Sequence, residues 1–93
     1  MIKSFKCKET AKIFEGQRSR KFPSDILRRI QMRLDRIDAA VDLNDLQVPP
    51  SHCLEALKGD RVKQHSIRIN NQWRVCFVWT NEGVLDVEVV DYH

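Results

Sequence analysis

The sequence predicts an α+β domain in which N-terminal helices pack on a mainly antiparallel sheet. Three observations carry this. Ile26, Ile30, Leu34, Ile37 and Val41 recur at spacings of four, four, three and four, the period of one helix face. From Ile67 onward the pattern changes to apolar–polar alternation, the period of a strand. Two turn signals, Asn70-Asn71 and Asn81-Glu82-Gly83, then divide that stretch into strands. The 93 residues leave room for a single domain, 1–93, with a thin core.

Ile2 to Phe5 is expected as an edge strand. Thr10 to Glu15, with Gly16 behind, fits a short glycine-closed helix whose start lies as early as Cys7 or Lys8. Gln17 to Lys21 is polar and basic and turns the chain. Pro23 opens the main helix, since a first turn has no use for the N–H that proline lacks, and Asp25 suits the positive end of its dipole. The faces away from the apolar stripe carry Arg28, Arg29, Arg33, Arg36, Asp35 and Asp38, and are read as the solvated side of a helix covering a sheet. Asp42 to Ser51 is expected as an ordered loop anchored by Leu43, Leu46 and Val48 and stopped by Pro49-Pro50. Leu54 and Leu57 precede the turn Lys58-Gly59-Asp60 and can close a short strand. Trp73, Val75, Phe77 and Trp79 then alternate with Arg74, Cys76 and Val78. Leu85, Val87 and Val89 form one face of the last strand, with Asp86, Glu88 and Val90 on the other. If that strand stays regular, Asp91 and His93 share one side and Tyr92 takes the opposite one.

Several classes fall away on composition. No run approaches the roughly 20 apolar residues that cross a bilayer, and Lys3, Lys6 and Lys8 interrupt any signal-like stretch, so a soluble cytoplasmic protein without a membrane partner is expected. The three cysteines, Cys7, Cys53 and Cys76, are odd in number and lack metal-knuckle spacing; Cys76 reads as a small core residue. No Walker loop, dinucleotide glycine motif or serine elbow is present, the carboxylates form no paired metal pattern, and neither metal nor cofactor is expected.

Charge placement says more than the net +3. Lys58, Arg61, Lys63, Arg68 and Arg74 stand against Asp60 alone, whereas Glu82, Asp86, Glu88 and Asp91 follow Thr80 with no Lys or Arg. Such a chain can hold a polyanion and set polar chemistry beside it, or it can pair hairpin strands by opposite charge; the two readings stay open on charge alone. Arg68 and Arg74 flank the Asn70-Asn71 turn and in a hairpin share one sheet surface, where their forks suit phosphate oxygens, or salt bridges to Asp86 and Glu88. Lys58, Arg61 and Lys63 extend the strip. Asp91-Tyr92-His93 follows an apolar strand directly, so a histidine able to exchange protons near neutral pH has a rigid mount, unless it is simply a polar tail. Metal-free acid–base cleavage of RNA, with the 2′-hydroxyl as nucleophile, is the chemistry these residue types could serve.

Leu57-Lys58-Gly59-Asp60-Arg61, the run from Ser66 to Phe77, the closing Val90-Asp91-Tyr92-His93 and the opening Met1 to Phe5 resemble the HigB branch of the RelE/ParE toxin superfamily over essentially the whole chain. The resemblance implies a microbial-RNase-like, RelE-like fold. It also implies a type II toxin that enters the ribosomal A site and cuts messenger RNA, silenced by a HigA-type helix-turn-helix antitoxin. By the same resemblance Asp91, Tyr92 and His93 match the catalytic close, and Lys58, Arg68 and Arg74 match basic positions toward the substrate backbone. Asp91 and His93 are assigned to proton transfer as a pair, Tyr92 to orientation or base stacking, and Arg68 and Arg74 to phosphate charge. One position departs from the family: some members carry a histidine where Glu55 stands, so Glu55, or His52 from the preceding loop, is a further catalytic candidate. His65 is read as a surface residue outside the set. A relative that blocks a target such as gyrase or the ribosome by docking alone is the competing function, because fold does not settle chemistry.

Overall fold

The computed structural model describes residues 1–91, in the order helix, helix, four-stranded meander. Helix α1 spans Lys8–Phe14 and ends before Gly16, whose φ of 86° suits a residue without Cβ. A 3₁₀ turn, Ser24–Ile26, leads from Pro23 into α2, Leu27–Ala39. Ile26, Ile30, Leu34 and Ile37 are buried, as the stripe requires. Val41 is not: it is 91% exposed, because the helix ends at Ala39 and Ala40 turns extended. Asp42 and Asp45 then cap a 3₁₀ helix, Leu43–Gln47, and draw the chain away from the helix axis. Of the expected loop anchors, Leu46 is buried and Val48 is exposed. A further 3₁₀ turn, Pro50–His52, follows.

Strands β1 (Glu55–Ala56), β2 (His65–Arg68), β3 (Trp73–Thr80) and β4 (Gly83–Asp91) pair antiparallel in the order β1-β2-β3-β4. One sheet face, with Ile67, Val75, Phe77, Val84, Val87 and Val89, packs on Ile13 of α1 and the α2 stripe to form the core. Truncating a fully buried Ile30 or Leu34 to Ala would cost on the order of 2–5 kcal/mol. The turn between β2 and β3 is held by Asn70, whose Oδ1 accepts from Gln72 N (2.9 Å) and Trp73 N (2.8 Å), which is why the Asn70-Asn71 signal works.

Strand β4 departs from simple alternation. Cys76 pairs with Glu88 and Val78 with Leu85, so the single Phe77 stands opposite two residues, Asp86 and Val87. This β-bulge puts Asp86 at φ 53° and reverses side-chain parity, so Val84, rather than Leu85, shares the buried face with Val87 and Val89. The N-terminal segment covers β4's outer edge as expected of an edge strand, but in parallel and through two isolated bridges, Ile2 to Val84 and Phe5 to Val87. Thr10 continues that cover: its buried hydroxyl accepts from Val89 N at 3.1 Å. The last turn of β4 is thereby tied to α1 two residues before Asp91.

Candidate active site

The face of the sheet turned away from the helices carries the polar residues in two cross-strand rows. Glu55, Ser66, Cys76 and Glu88 form one. Arg68, Arg74 and Val90 form the next, two residues further along each strand and therefore roughly 6.6 Å away. Arg68 and Arg74 thus share one surface as expected, directly opposite each other. Like charges so placed repel, and each guanidinium is held by other partners. Arg74 donates from Nε to Ser66 Oγ (2.8 Å) and from Nη2 to the Cys53 carbonyl (2.6 Å). Arg68 donates from Nε to the Asn70 carbonyl (3.1 Å) and from Nη2 to Asn71 Oδ1. The two forks are fixed by the sheet, its hairpin and the loop before β1.

The alternative of pairing to the last strand goes to another cation. Glu88 accepts from Arg61 Nη1 at 3.0 Å, with Lys6 Nζ at 3.9 Å, and Asp86 donates its N–H to Ser4 Oγ. Arg61 therefore belongs to the open face, bonded also to Gln64 Oε1 (2.9 Å), whereas Lys58 and Lys63 are exposed beside it. Cys76 is completely buried in the middle of this face, and burial pushes its thiol upward, with Arg61, Glu88, Arg74 and Glu55 all close enough to act on it electrostatically. It is the small core residue expected, an uncharged floor beneath the charged groups.

Glu55 is exposed on β1, across Ser66 from the Arg74 fork. His52 is elsewhere. Its ring is 1% exposed, and Nδ1 lies 3.2 Å from the Leu46 carbonyl. Its pKa is lowered chiefly by burial, then by Arg33 and Arg36, against the raising effect of the Leu46 carbonyl. It also lines the opening formed by Met32, Arg36 and Pro49 on the helical side. The expectation that His52 approaches the site is thus corrected: the apolar anchor Leu46 pulls the loop, and the ring with it, into the core. His65 is likewise turned from the open face; it stacks on Phe77 at 6.3 Å, and its buried Nδ1 has no partner among the described residues.

Asp91 ends β4 one residue beyond the Val90 that faces Arg74; paired with Trp73, it falls by strand alternation on the helix-side face, at the edge of the sheet and not in the arginine row. Its carboxylate accepts from Gln72 Nε2 at 3.0 Å. Trp73 is braced by an edge-on contact with Phe22 at 5.4 Å. The strand end is thus seated beside the β2–β3 hairpin, as a rigid mount requires. Tyr92 and His93, the other two residues of the expected catalytic close, lie outside the described residues. Among the described residues no three His, Cys, Asp or Glu side chains cluster as metal ligands would.

Sequence reasoning missed Ser66, the residue that aims Arg74, although its place between His65 and Ile67 in a two-residue period puts it on the arginine face. It read the arginines of α2 as a solvated face, and for three of them the structure corrects this. Arg33 Nε donates to the Arg68 carbonyl (2.9 Å), Arg29 Nη1 to the Ile69 carbonyl (3.4 Å) and Arg36 Nη2 to the Val48 carbonyl (2.6 Å). Their spacing of four and three marks one helix edge, but nothing local says that an edge of sheet lies opposite.

Comparison with known proteins agrees with this architecture. Residues 3–93 match the model of a family described as the RelE-like toxin of type II toxin–antitoxin system HigB. The chain is 36% identical over 93 residues to a Proteus vulgaris protein named Endoribonuclease HigB, covering 100% of both chains. It is 35% identical over 94 residues to Toxin HigB-1 of Vibrio cholerae, covering 100% of this chain and 98% of that one. With helices on one side of an antiparallel sheet and a full-length match on each count, the chain belongs to the HigB family of RelE-like toxins of type II toxin–antitoxin systems.

Proposed function

We propose that this toxin is an endoribonuclease that cuts messenger RNA in the ribosomal A site by metal-independent acid–base chemistry. A base takes the proton of the 2′-hydroxyl, the freed oxygen attacks the adjacent phosphorus, the bond to the 5′-oxygen breaks, and an acid returns a proton to that leaving oxygen. The products are a 2′,3′-cyclic phosphate and a 5′-hydroxyl. Asp91 and His93 exchange the two protons as a pair, with Glu55 available as the base at the position where some members of the family carry histidine. Tyr92 orients or stacks on a base. Arg68 and Arg74 neutralise the charge that builds on the phosphate, and Lys58, Arg61 and Lys63 guide the strand toward it. As a type II toxin it has an antitoxin partner; we assign that role to a HigA-type helix-turn-helix protein.

The observation that carries this reading is the Arg74 fork, locked by Ser66 and the Cys53 carbonyl with the carboxylate-bearing β1 two strands to one side and the end of β4 on the other. A fixed cation with the Glu55 carboxylate in the neighbouring row of the same face, and the strand end that carries Asp91 beside it, suits an in-line phosphoryl displacement, and the full-length relative named as an endoribonuclease supports RNA cleavage. Primer extension on cellular messenger RNA after brief induction tests it. Discrete cuts within translated frames are expected from the native chain and not from an Asp91→Ala/His93→Ala double variant. A toxic native chain that leaves messenger RNA intact would exclude cleavage and point to inhibition by docking.

A further inference from the structure

Strand β1 is only two residues long and pairs with His65 and Ser66, so beyond Ser66 the edge of β2 that faces away from β3 has no strand alongside it. Arginines of α2 occupy that edge instead. Beyond their carbonyl bonds lies an open polar cleft of about 440 Å³ lined by Arg29, Arg33 and Arg68, with Ser51 and the Asn70-Asn71 turn at its rim. The ion pairs among the described residues involve Lys6, Lys12 and Arg61, and none of these three arginines. Their partners are neutral oxygens, of which Arg33 engages one with a single N–H out of five and Arg29 one at 3.4 Å, so most of their donors remain available. Burial, and then Arg29, Arg36 and Arg68, push the Arg33 pKa down. The guanidiniums therefore repel one another without a compensating carboxylate, a strain that a bound anion would relieve.

We propose that Arg29, Arg33 and Arg68 form a second phosphate-binding subsite that takes the RNA backbone as it passes from the arginine face of the sheet over the β2–β3 hairpin. The proposal rests on the reading of the chain as an RNA-cutting toxin and adds a path for the substrate. Arg68 lines this cleft and pairs in register with Arg74, so the two phosphate positions are continuous through one strand pair. Planar forks presented together match tetrahedral phosphate oxygens better than a lysine patch would. That continuity favours a polynucleotide over an acidic protein segment, which would need no link to the catalytic face.

The test is fluorescence anisotropy with a short RNA methylated at every 2′-oxygen, which cannot supply the attacking group, titrated across salt concentrations. In an Arg29→Gln/Arg33→Gln chain the slope of log affinity against log salt should be shallower by about 1.4, two contacts at roughly 0.7 each for single strands. Arg29→Lys/Arg33→Lys should keep most of the slope. Arg29 makes only the long carbonyl bond, so Arg29→Gln alone, expected to change the slope by about 0.7, reports even if the double variant melts early. Unchanged slopes, no RNA affinity at low salt, or a loss confined to a poly-glutamate probe would each overturn the subsite. A native chain that binds with the expected slopes yet cuts no messenger would sink the nuclease reading and leave the subsite standing. Cutting with unchanged slopes would sink the subsite alone.

Discussion

Arg74 shows how a sheet converts a flexible cation into a fixed one. Its strand sets the base of the side chain, and Ser66 and the Cys53 carbonyl set the fork, so little rotamer entropy remains to be lost when a phosphate arrives. Glu55 is the contrasting case, an exposed carboxylate on a two-residue strand, free to move toward a substrate hydroxyl. If Glu55 takes the 2′-proton, Glu55→Gln should slow ribosome-programmed cleavage by about 10² or more without lowering the melting temperature, since the side chain is exposed. Glu55→His should restore cutting with a rate that rises through the ordinary histidine range near pH 6.5. Single-turnover rates across pH would read both. Full activity in Glu55→Gln would leave the base role with the Asp91 and His93 pair.

At the scale of elements, the site depends on where strands end and how their edges are closed. The bulge in β4 lets one strand serve two registers: Val84 reaches the core before it and Val87 and Val89 after it, while the N-terminal segment docks alongside. Asp86 bears the left-handed conformation that makes this possible. Asp86→Val, a change at an exposed residue, should therefore cost roughly 1–2 kcal/mol, because a β-branched side chain meets its own backbone there. Urea unfolding would show a lower midpoint, and an unchanged midpoint would mean that the bulge relaxes freely. The same bulge marks the limit of what was legible. Periodicity found the α2 stripe, the hairpins, the short strand before Lys58 and the shared face of Arg68 and Arg74, since each depends on local spacing. It misplaced Leu85 because one inserted residue reverses parity without a glycine to announce it. It extended the helix stripe to Val41 because Asp42 and Asp45 cap a separate 3₁₀ helix, a contact outside the heptad pattern. His52 was placed near the site by its sequence distance from Glu55, whereas the burial of Leu46 decides where it goes.

Across the whole molecule, α2 joins every part: its stripe fills the core, its arginines close the edge of β2, and Arg33 and Arg36 stand over His52. Protonating that histidine would put a third positive charge beside two guanidiniums in a place that water barely reaches. Burial is the main cause that holds its pKa below the ordinary 6.5, and the two arginines add to it. The sign of the linkage follows. The unfolded chain binds a proton at this histidine as pH falls below about 6.5, and the folded chain resists it, so stability is full above that value and declines as pH drops toward the lowered folded pKa. The loss cannot exceed about 1.4 kcal/mol for each pH unit in that window. Comparing urea unfolding at pH 7.5 and 5.5 measures it, above the range in which ordinary carboxylates titrate. His52→Asn supplies the control, because its amide can still donate to the Leu46 carbonyl but cannot charge. The native chain should lose stability between the two pH values and the variant should lose clearly less, with the difference assigned to this ring alone. Equal losses would mean that His52 escapes to water before it protonates, and that the loop from Leu43 to His52 opens locally ahead of global unfolding.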